Sequence, residues 1–562
     1  MPDQPTPTAD SGSQIRRGTP VVPGVAVGPV IRPQPGVDLS GVADLPSQSA
    51  EEEDKRYAAA VEVVASRLSA RAESASGVAA EVLVAQVGLV SDRGLRKAAT
   101  KEINAGKSAE AAVCAAVDTF AAMFAQVGGL MAERITDLRD LGGRLVAELR
   151  GLAEPGLTLP DVPSVLLSDD LAPADTASLD PARVIALAMS LGGPTSHTAI
   201  IARQLGIPCV VAADVDDIPV GTTVLVDGST GEIVVDPDPA EAAERVETDR
   251  RSRVDAMAWT GPGATADGHP VSVYANVQDD ATARRAAEGP SEGVGLFRSE
   301  LAFLGQDEEP SIEYQADIYA GVLEAYRGRK VVIRTLDAGS DKPMKFANLH
   351  PEENPALGVR GLRISFANPY LLTNQLDAIA LAAERTGTSP WVMAPMVATA
   401  EEAKNFAALV RERGLTPGVM IEIPAAALLA DRLLEHVEFL SIGTNDLSQY
   451  TMAVDRLSAE LAGLTDPWQP AVLALIGRTA AAGKAVGKPV GVCGEAAADP
   501  LLACVLVGLG VTSLSMAASA IGQVGSSLAR ATLAQCEAAA AAALDAADPT
   551  AGRAAATAAL TH

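Results

Sequence analysis

Positive charge is scarce in this sequence: 44 Lys and Arg stand against 71 Asp and Glu, a formal net charge of −27 over 562 residues. That balance opposes a phosphate-backbone partner, so nucleic acid is not expected, and it favours a basic protein surface or simple solubility. Long uncharged apolar runs are missing as well, and the start, MPDQPTPTADSGSQIRR, has no apolar signal core. Neither a membrane span nor an export signal is expected, and the chain reads as cytoplasmic. Cysteine is sparse: Cys114, Cys209, Cys493, Cys504 and Cys536 are scattered without CxxC spacing, which argues against a disulfide framework or a thiolate zinc site. The histidines (His197, His269, His350, His436 and His562) show no HxxxH pair, so a helix-borne zinc site is not suggested either.

What is present is a globular composition, 48% apolar and 20% charged, on a chain long enough for about two to four domains. Residues 1–17 are polar and rich in Pro, Ser and Thr and read as a disordered tail. GTPVVPGVAVGPV (18–30) alternates small and β-branched residues around glycines, a strand-and-turn pattern. Residues 41–154 carry apolar side chains at three- and four-residue spacing, the pattern of a helical bundle. Strand patterns resume at PSVLLSD (163–169), RVIALAM (183–189), CVVAA (209–213) and TTVLVDG (222–228). The helical block is therefore expected to be inserted into an α/β domain made of 18–40 and 155–237.

Residues 238–260 are charged and helical and suit a linker between domains. From 261 to 530, eight apolar strand patterns are separated mostly by helical ones: VSVYAN, GVGLFR, VVIRTL, WVMAPM, GVMIEI, EFLSIG, VGVC and VTSLSM. That is the requirement of a (β/α)8 barrel, an open doubly wound sheet being the weaker alternative. The long intervals after the second and third strands predict elaborated loops. Residues 531–562 are alanine-rich and read as a tail with no core-forming face.

Chemistry gathers where the apolar runs stop. Arg298, Arg334, Glu422, Asn445, Asp446 and Cys493 fall at strand ends, and barrel active sites sit at the C-terminal ends of strands. Arg298 and Arg334, joined by Arg456, supply guanidinium forks for phosphate and carboxylate. Glu422 and Asp446 are hard oxygen donors suited to Mg²⁺. Together they imply a small phosphorylated carboxylate as substrate. Cys493 reads either as a small buried hydrophobe or as a proton donor at the barrel mouth. Met396 reads as core or wall, and Cys114 and Cys504 as core. In GGPTSHTAIIAR (192–203), a glycine-rich breaker and capping hydroxyls place His197 in or beside the first turn of a helix. The positive end of that helix disfavours imidazolium and welcomes an anion, which suits a neutral imidazole that becomes phosphorylated.

GGPTSHTAIIARQLGIPCVV resembles the phosphohistidine signature of the phosphoenolpyruvate-utilising enzymes, and IEIPAAALLADRLLEHVEFLSIGTNDLSQYTMAVDR resembles their barrel signature. Within that family the chain is most similar to the Enzyme I branch, the phosphoenolpyruvate–protein phosphotransferases of bacterial sugar phosphotransferase systems. The similarity runs from about residue 18 to 530 and takes in MAERITDLRDLGGRL, GVGLFRSELAFL, VVIRTLDAGSDKP, ENPALGVRGLR and VGVCGEAAADP.

The resemblance implies a multidomain α/β enzyme with a swivelling phosphohistidine domain, an inserted helical domain that binds the carrier protein HPr, and a phosphoenolpyruvate-binding barrel that forms a homodimer. It implies that His197 takes the phosphoryl group and passes it to a histidine of HPr, with Arg298, Arg334, Asn445, Asp446 and Arg456 holding substrate. It further implies Glu422 and Asp446 as ligands of Mg²⁺ and Cys493 as the proton donor that completes pyruvate. Two departures stand out: Pro194 occupies a place where the family often has Arg, and GLVSDRGL (88–95) replaces an acidic Leu-Glu-Asp segment. A pyruvate–phosphate dikinase or phosphoenolpyruvate synthase would share these motifs but needs a nucleotide-binding region, and about 17 residues precede the first strand here. A catalytically silent binding module is opposed by the completeness of the residue set.

Overall fold

The computed structural model describes residues 14–561 apart from 35–36, 75–77, 128–129, 153, 158, 170, 172, 177–178, 194–195, 304–305, 307, 339–345, 347–351 and 456–457. The chain divides into two compact units, Met1–Arg250 and Arg251–His562.

The first unit is built on an eight-stranded sheet with the order β1-β8-β7-β3-β4-β5-β6-β2. Its strands are β1 (Gln14–Arg17), β2 (Thr19–Val22), β3 (Val25–Ile31), β4 (Ser164–Ser168), β5 (Val184–Met189), β6 (Cys209–Val211), β7 (Thr223–Asp227) and β8 (Glu232–Val235). The central run β3-β4-β5-β6 is parallel; β3 alternates buried and half-buried residues, whereas β4, β5 and β6 are almost wholly buried, matching the continuous apolar text of PSVLLSD and RVIALAM. The expected tail of 1–17 is corrected at its end: residues 14–17 form β1, antiparallel to β8. Backbone pairing at the sheet edge, which QIRR cannot announce by its side chains, makes that strand. The 18–30 segment turns at Gly24, where φ is +134°, so that β2 lies at one edge and β3 in the middle.

Between β3 and β4 the helices Ala50–Ser74, Val78–Val90, Arg93–Asn104, Ala109–Val127 and Leu130–Arg150 form the inserted bundle. The helix Arg93–Asn104 shows why: Asp92 caps it by accepting from the Leu95 amide, and Leu95, Ala99 and Ile103, four residues apart, form its buried face. Tyr57, Leu68, Leu83, Leu138 and Leu141 fill the bundle core.

The second unit is a closed barrel of eight parallel strands: β9 (Ser272–Val277), β10 (Gly293–Arg298), β11 (Lys330–Arg334), β12 (Trp391–Ala394), β13 (Thr416–Ile421), β14 (Phe439–Ile442), β15 (Val490–Val492) and β16 (Ser513–Met516), with β16 closing on β9. All eight expected strands are present, and the open-sheet alternative is excluded. The long intervals after β10 and β11 hold the helices Ile312–Ala325 and Pro369–Thr386.

The alanine-rich end is not a coreless tail. Residues Leu533–Leu544 and Pro549–Thr561 are helices, and Cys536, Ala539, Ala540, Ala543 and Ala556 are buried in the barrel unit's core. Alanine faces pack by close approach rather than by bulk: a Cβ on Gly508 would collide with the Cys536 carbonyl. Thr532 and Gln535 form a reciprocal capping box, the one sequence signal of this helix start. Among the described residues no helix is long and apolar enough to cross a membrane.

Candidate active site

At the C-terminal ends of the barrel strands lies a cavity of about 380 Å³, a size suited to a small ligand. Its lining includes Arg298, Glu300, Arg334, Asp337, Arg360, Glu422, Asn445, Asp446, Cys493 and Glu495. All but Arg360 are placed by a strand end or by the segment directly after one; Arg360 comes from the long interval between β11 and β12, just before the 3-10 helix Gly361–Arg363. Arg298 closes β10 and Arg334 closes β11, Glu422 follows β13, and Cys493 follows β15. Asn445 and Asp446 sit in the first turn of the helix Thr444–Met452, which starts just beyond β14.

The charges interlock. Arg334 pairs with Glu300 and, at 3.0 Å, with Asp337. Arg360 forks onto the same Asp337 at 3.1 Å and donates to Asp446 Oδ1 at 3.1 Å and to the Tyr450 hydroxyl at 3.3 Å. Burial works against both guanidiniums. Glu300 and Asp337 beside Arg334, and Asp337 and Asp446 beside Arg360, nevertheless raise their pKa values above the ordinary arginine value. Arg298 has no carboxylate partner among the described residues, which leaves its fork available to a ligand.

Glu422 is 1% exposed and accepts from the Met396 amide at 2.6 Å. Burial first, and the nearby carboxylates of Asp337 and Asp446 second, push its pKa up to about 8. Met396, read as core or wall, is buried with φ +61°, and its backbone amide also holds a carboxylate. Cys493 is 2% exposed, and its Sγ lies 3.5 Å from the Ile442 carbonyl oxygen. Burial raises its thiol pKa, so the proton stays on sulfur at neutral pH. Next to it, the Glu495 amide donates to Asn445 Oδ1 at 3.1 Å and ties two mouth segments together.

Three family models match this chain: the PEP-binding domain of PEP-utilising enzymes over residues 253–533, their N-terminal domain over 17–134 and their mobile domain over 160–231. A phosphoenolpyruvate-protein phosphotransferase of Streptomyces coelicolor is 50% identical over 94% of this chain and 96% of its own length. One from Haloferax volcanii is 39% identical over 84% and 85%, and a multiphosphoryl transfer protein of Rhodobacter capsulatus is 43% identical over 72% of this chain and 50% of its own length. The chain belongs to the phosphoenolpyruvate–protein phosphotransferase family of PEP-utilising enzymes.

In this family member the barrel mouth brings together six of the residues singled out from sequence: Arg298, Arg334, Glu422, Asn445, Asp446 and Cys493. Arg456 and Pro194 lie outside the described residues, as does the side chain of His197. The His197 backbone opens the helix His197–Leu205 in the first unit, and Ser196 caps it by accepting from the Ala199 amide at 3.3 Å. Glu300, Asp337, Arg360 and Glu495 were not singled out. Asp337 stands three residues after Arg334 in IRTLD, and Arg360 lies in ENPALGVRGLR; only the fold shows that one carboxylate serves both arginines.

Proposed function

We propose that this enzyme transfers the phosphoryl group of phosphoenolpyruvate to His197 and then to a histidine of the carrier protein HPr, releasing pyruvate. The observation that carries the reading is the barrel-mouth cavity, in which arginine forks, two hard carboxylates and a protonated thiol converge. Arg298, Arg334, Asn445, Asp446 and Arg456 hold the substrate's phosphate and carboxylate. The His197 imidazole attacks phosphorus, the P–O bond breaks as the N–P bond forms, and the electron pair passes to the enolate. The Cys493 thiol gives its proton to the terminal enolate carbon, which makes the methyl group of pyruvate. Arginines aimed at the transferring group and at the enolate stabilise charge where it develops.

The residues fit Mg²⁺. Glu422 and Asp446, at the ends of adjacent strands, are hard oxygen donors. Even with Glu422 left out of the count, Glu300, Asp337, Asp446 and Glu495 outnumber Arg298, Arg334 and Arg360 among the described lining residues, so a polyanionic substrate needs added positive charge. When bound, the ion would supply that charge to the phosphoryl and enolate oxygens. HPr docking is assigned to the helical insert and homodimer formation to the barrel unit. The exposed Leu357, Val359, Phe366 and Tyr370, close together in that unit's sequence, support the second assignment. A cytoplasmic location belongs to the same reading.

Incubation with phosphate-labelled phosphoenolpyruvate, with and without Mg²⁺, tests the proposal. Acid-labile label is expected on the wild type with metal and is expected to be absent from His197→Ala. Label that persists in His197→Ala removes the assignment, and a wild type that takes no label favours a silent binding module.

A further inference from the structure

The C-terminal helices lie beyond residue 533, where the match to the family's PEP-binding domain ends. Yet the last of them reaches a polar node formed by the segments that follow β14 and β15. Arg553, on the helix Pro549–Thr561, forks onto Asp466 with bonds of 2.8 and 2.9 Å. Its guanidinium also stands 5.3 Å from the centre of the Trp468 ring. Trp468 is the largest fully buried side chain among the described residues, and its indole N–H donates to Asp499 Oδ2 at 3.0 Å. The other Asp499 oxygen caps the helix Pro500–Gly508 through the Leu501 and Leu502 amides at 2.9 and 3.1 Å.

Two mouth segments meet at this node. Asp466 and Trp468 end the connection that leaves the helix of Asn445 and Asp446 and contains Arg456 in its sequence. Asp499 ends the short turn that begins with Cys493 and Glu495. A bidentate Arg–carboxylate pair over a buried indole fixes geometry more firmly than an exposed ion pair does. We infer that Arg553 is a positioning residue for the phosphoenolpyruvate site: through Asp466, Trp468 and Asp499 it holds the Asn445–Asp455 and Cys493–Glu495 segments in register. The C-terminal helices thereby become part of the active-site machinery.

The inference rests on the proposed function, and its test keeps the two apart. Arg553→Gln, Asp466→Asn and the charge-swapped pair Asp466→Arg/Arg553→Asp are compared with the wild type in the full-length chain. The Michaelis constant for phosphoenolpyruvate is expected to rise on the order of tenfold in each single variant, as displaced binding groups do, and to recover at least in part in the swapped pair. The melting temperature is followed alongside. Alkylation of Cys493 by iodoacetamide, mapped by peptide mass spectrometry, is expected to be faster in the single variants, and this holds whether or not the enzyme turns over. A lower melting temperature with an unchanged Michaelis constant and unchanged Cys493 alkylation would show the node to be packing alone and overturn the inference. A wild type that takes no label from phosphoenolpyruvate removes the functional reading, and Cys493 alkylation then decides the node by itself.

Discussion

Cys493 shows how one side chain acquires a task from its surroundings. A thiol in water is a weak acid that is partly ionised near pH 8.5. Packed among Leu296, Val332, Met393 and Met420, this one is held in its protonated form, which suits proton donation better than nucleophilic attack. Cys493→Ala should slow pyruvate release by about 10²-fold and leave transfer from phosphorylated His197 to HPr unchanged, as rapid-quench measurement of the two half-reactions would show. Equal loss in both half-reactions would refute the role. The sequence alone placed Cys493 at a strand end and left it between packing and chemistry. Its burial is set by side chains from strands far apart in the chain, and no local pattern encodes that. The same holds for Arg360, whose partners Asp337 and Asp446 come from the ends of different strands, whereas Arg298, Arg334 and Glu422 were legible because each interrupts an apolar run.

Barrel strands are legible as elements because a parallel strand buried on both faces is written as an unbroken apolar run. Helices made of alanine are not, because they bury small side chains by close backbone approach, and only the Thr532–Gln535 capping box marks where the first one starts. The start of β11 carries a feature no run could announce. Lys330 Nζ lies 3.3 Å from the centre of the Trp391 ring, with Phe439 and Tyr274 at 5.5 and 5.8 Å, at the barrel end opposite the mouth. Burial lowers its pKa from 10.5 to about 8, although the ring faces themselves favour the ammonium. Between those two values the unfolded chain binds more protons than the folded one, so stability rises with pH in that window and is lost again as pH falls through about 8. Relative to Lys330→Met, the wild type should therefore gain stability from about pH 8 to about pH 10.5 and show a constant offset below it. Urea denaturation of both proteins across the range measures this, and parallel pH profiles would contradict it.

At the scale of the molecule, the proposed chemistry is divided between two bodies. His197 belongs to the first unit and the phosphoenolpyruvate cavity to the second, and the helix Pro239–Ala258 spans the division between them. Only Ala242 of that helix is buried; Arg245 pairs with Asp227 and Glu232 in the first unit, and Asp255 pairs with Arg530 in the second. A charged helix in this place was legible from DPAEAAERVETDRRSRVDAMA, but a tether's effect on the distance between bodies is not written in any local pattern. Such a tether sets the effective concentration of the imidazole at the barrel mouth, and a longer or softer one dilutes it. Inserting Gly-Ser-Gly-Ser after Arg250 should therefore slow the labelling of His197 by phosphoenolpyruvate several-fold, while binding of phosphoenolpyruvate itself, followed by calorimetry, stays as in the wild type. A parallel fall in affinity would mean that the insertion had damaged the barrel. An unchanged labelling rate would mean that the helix does not govern the approach of His197 to its substrate.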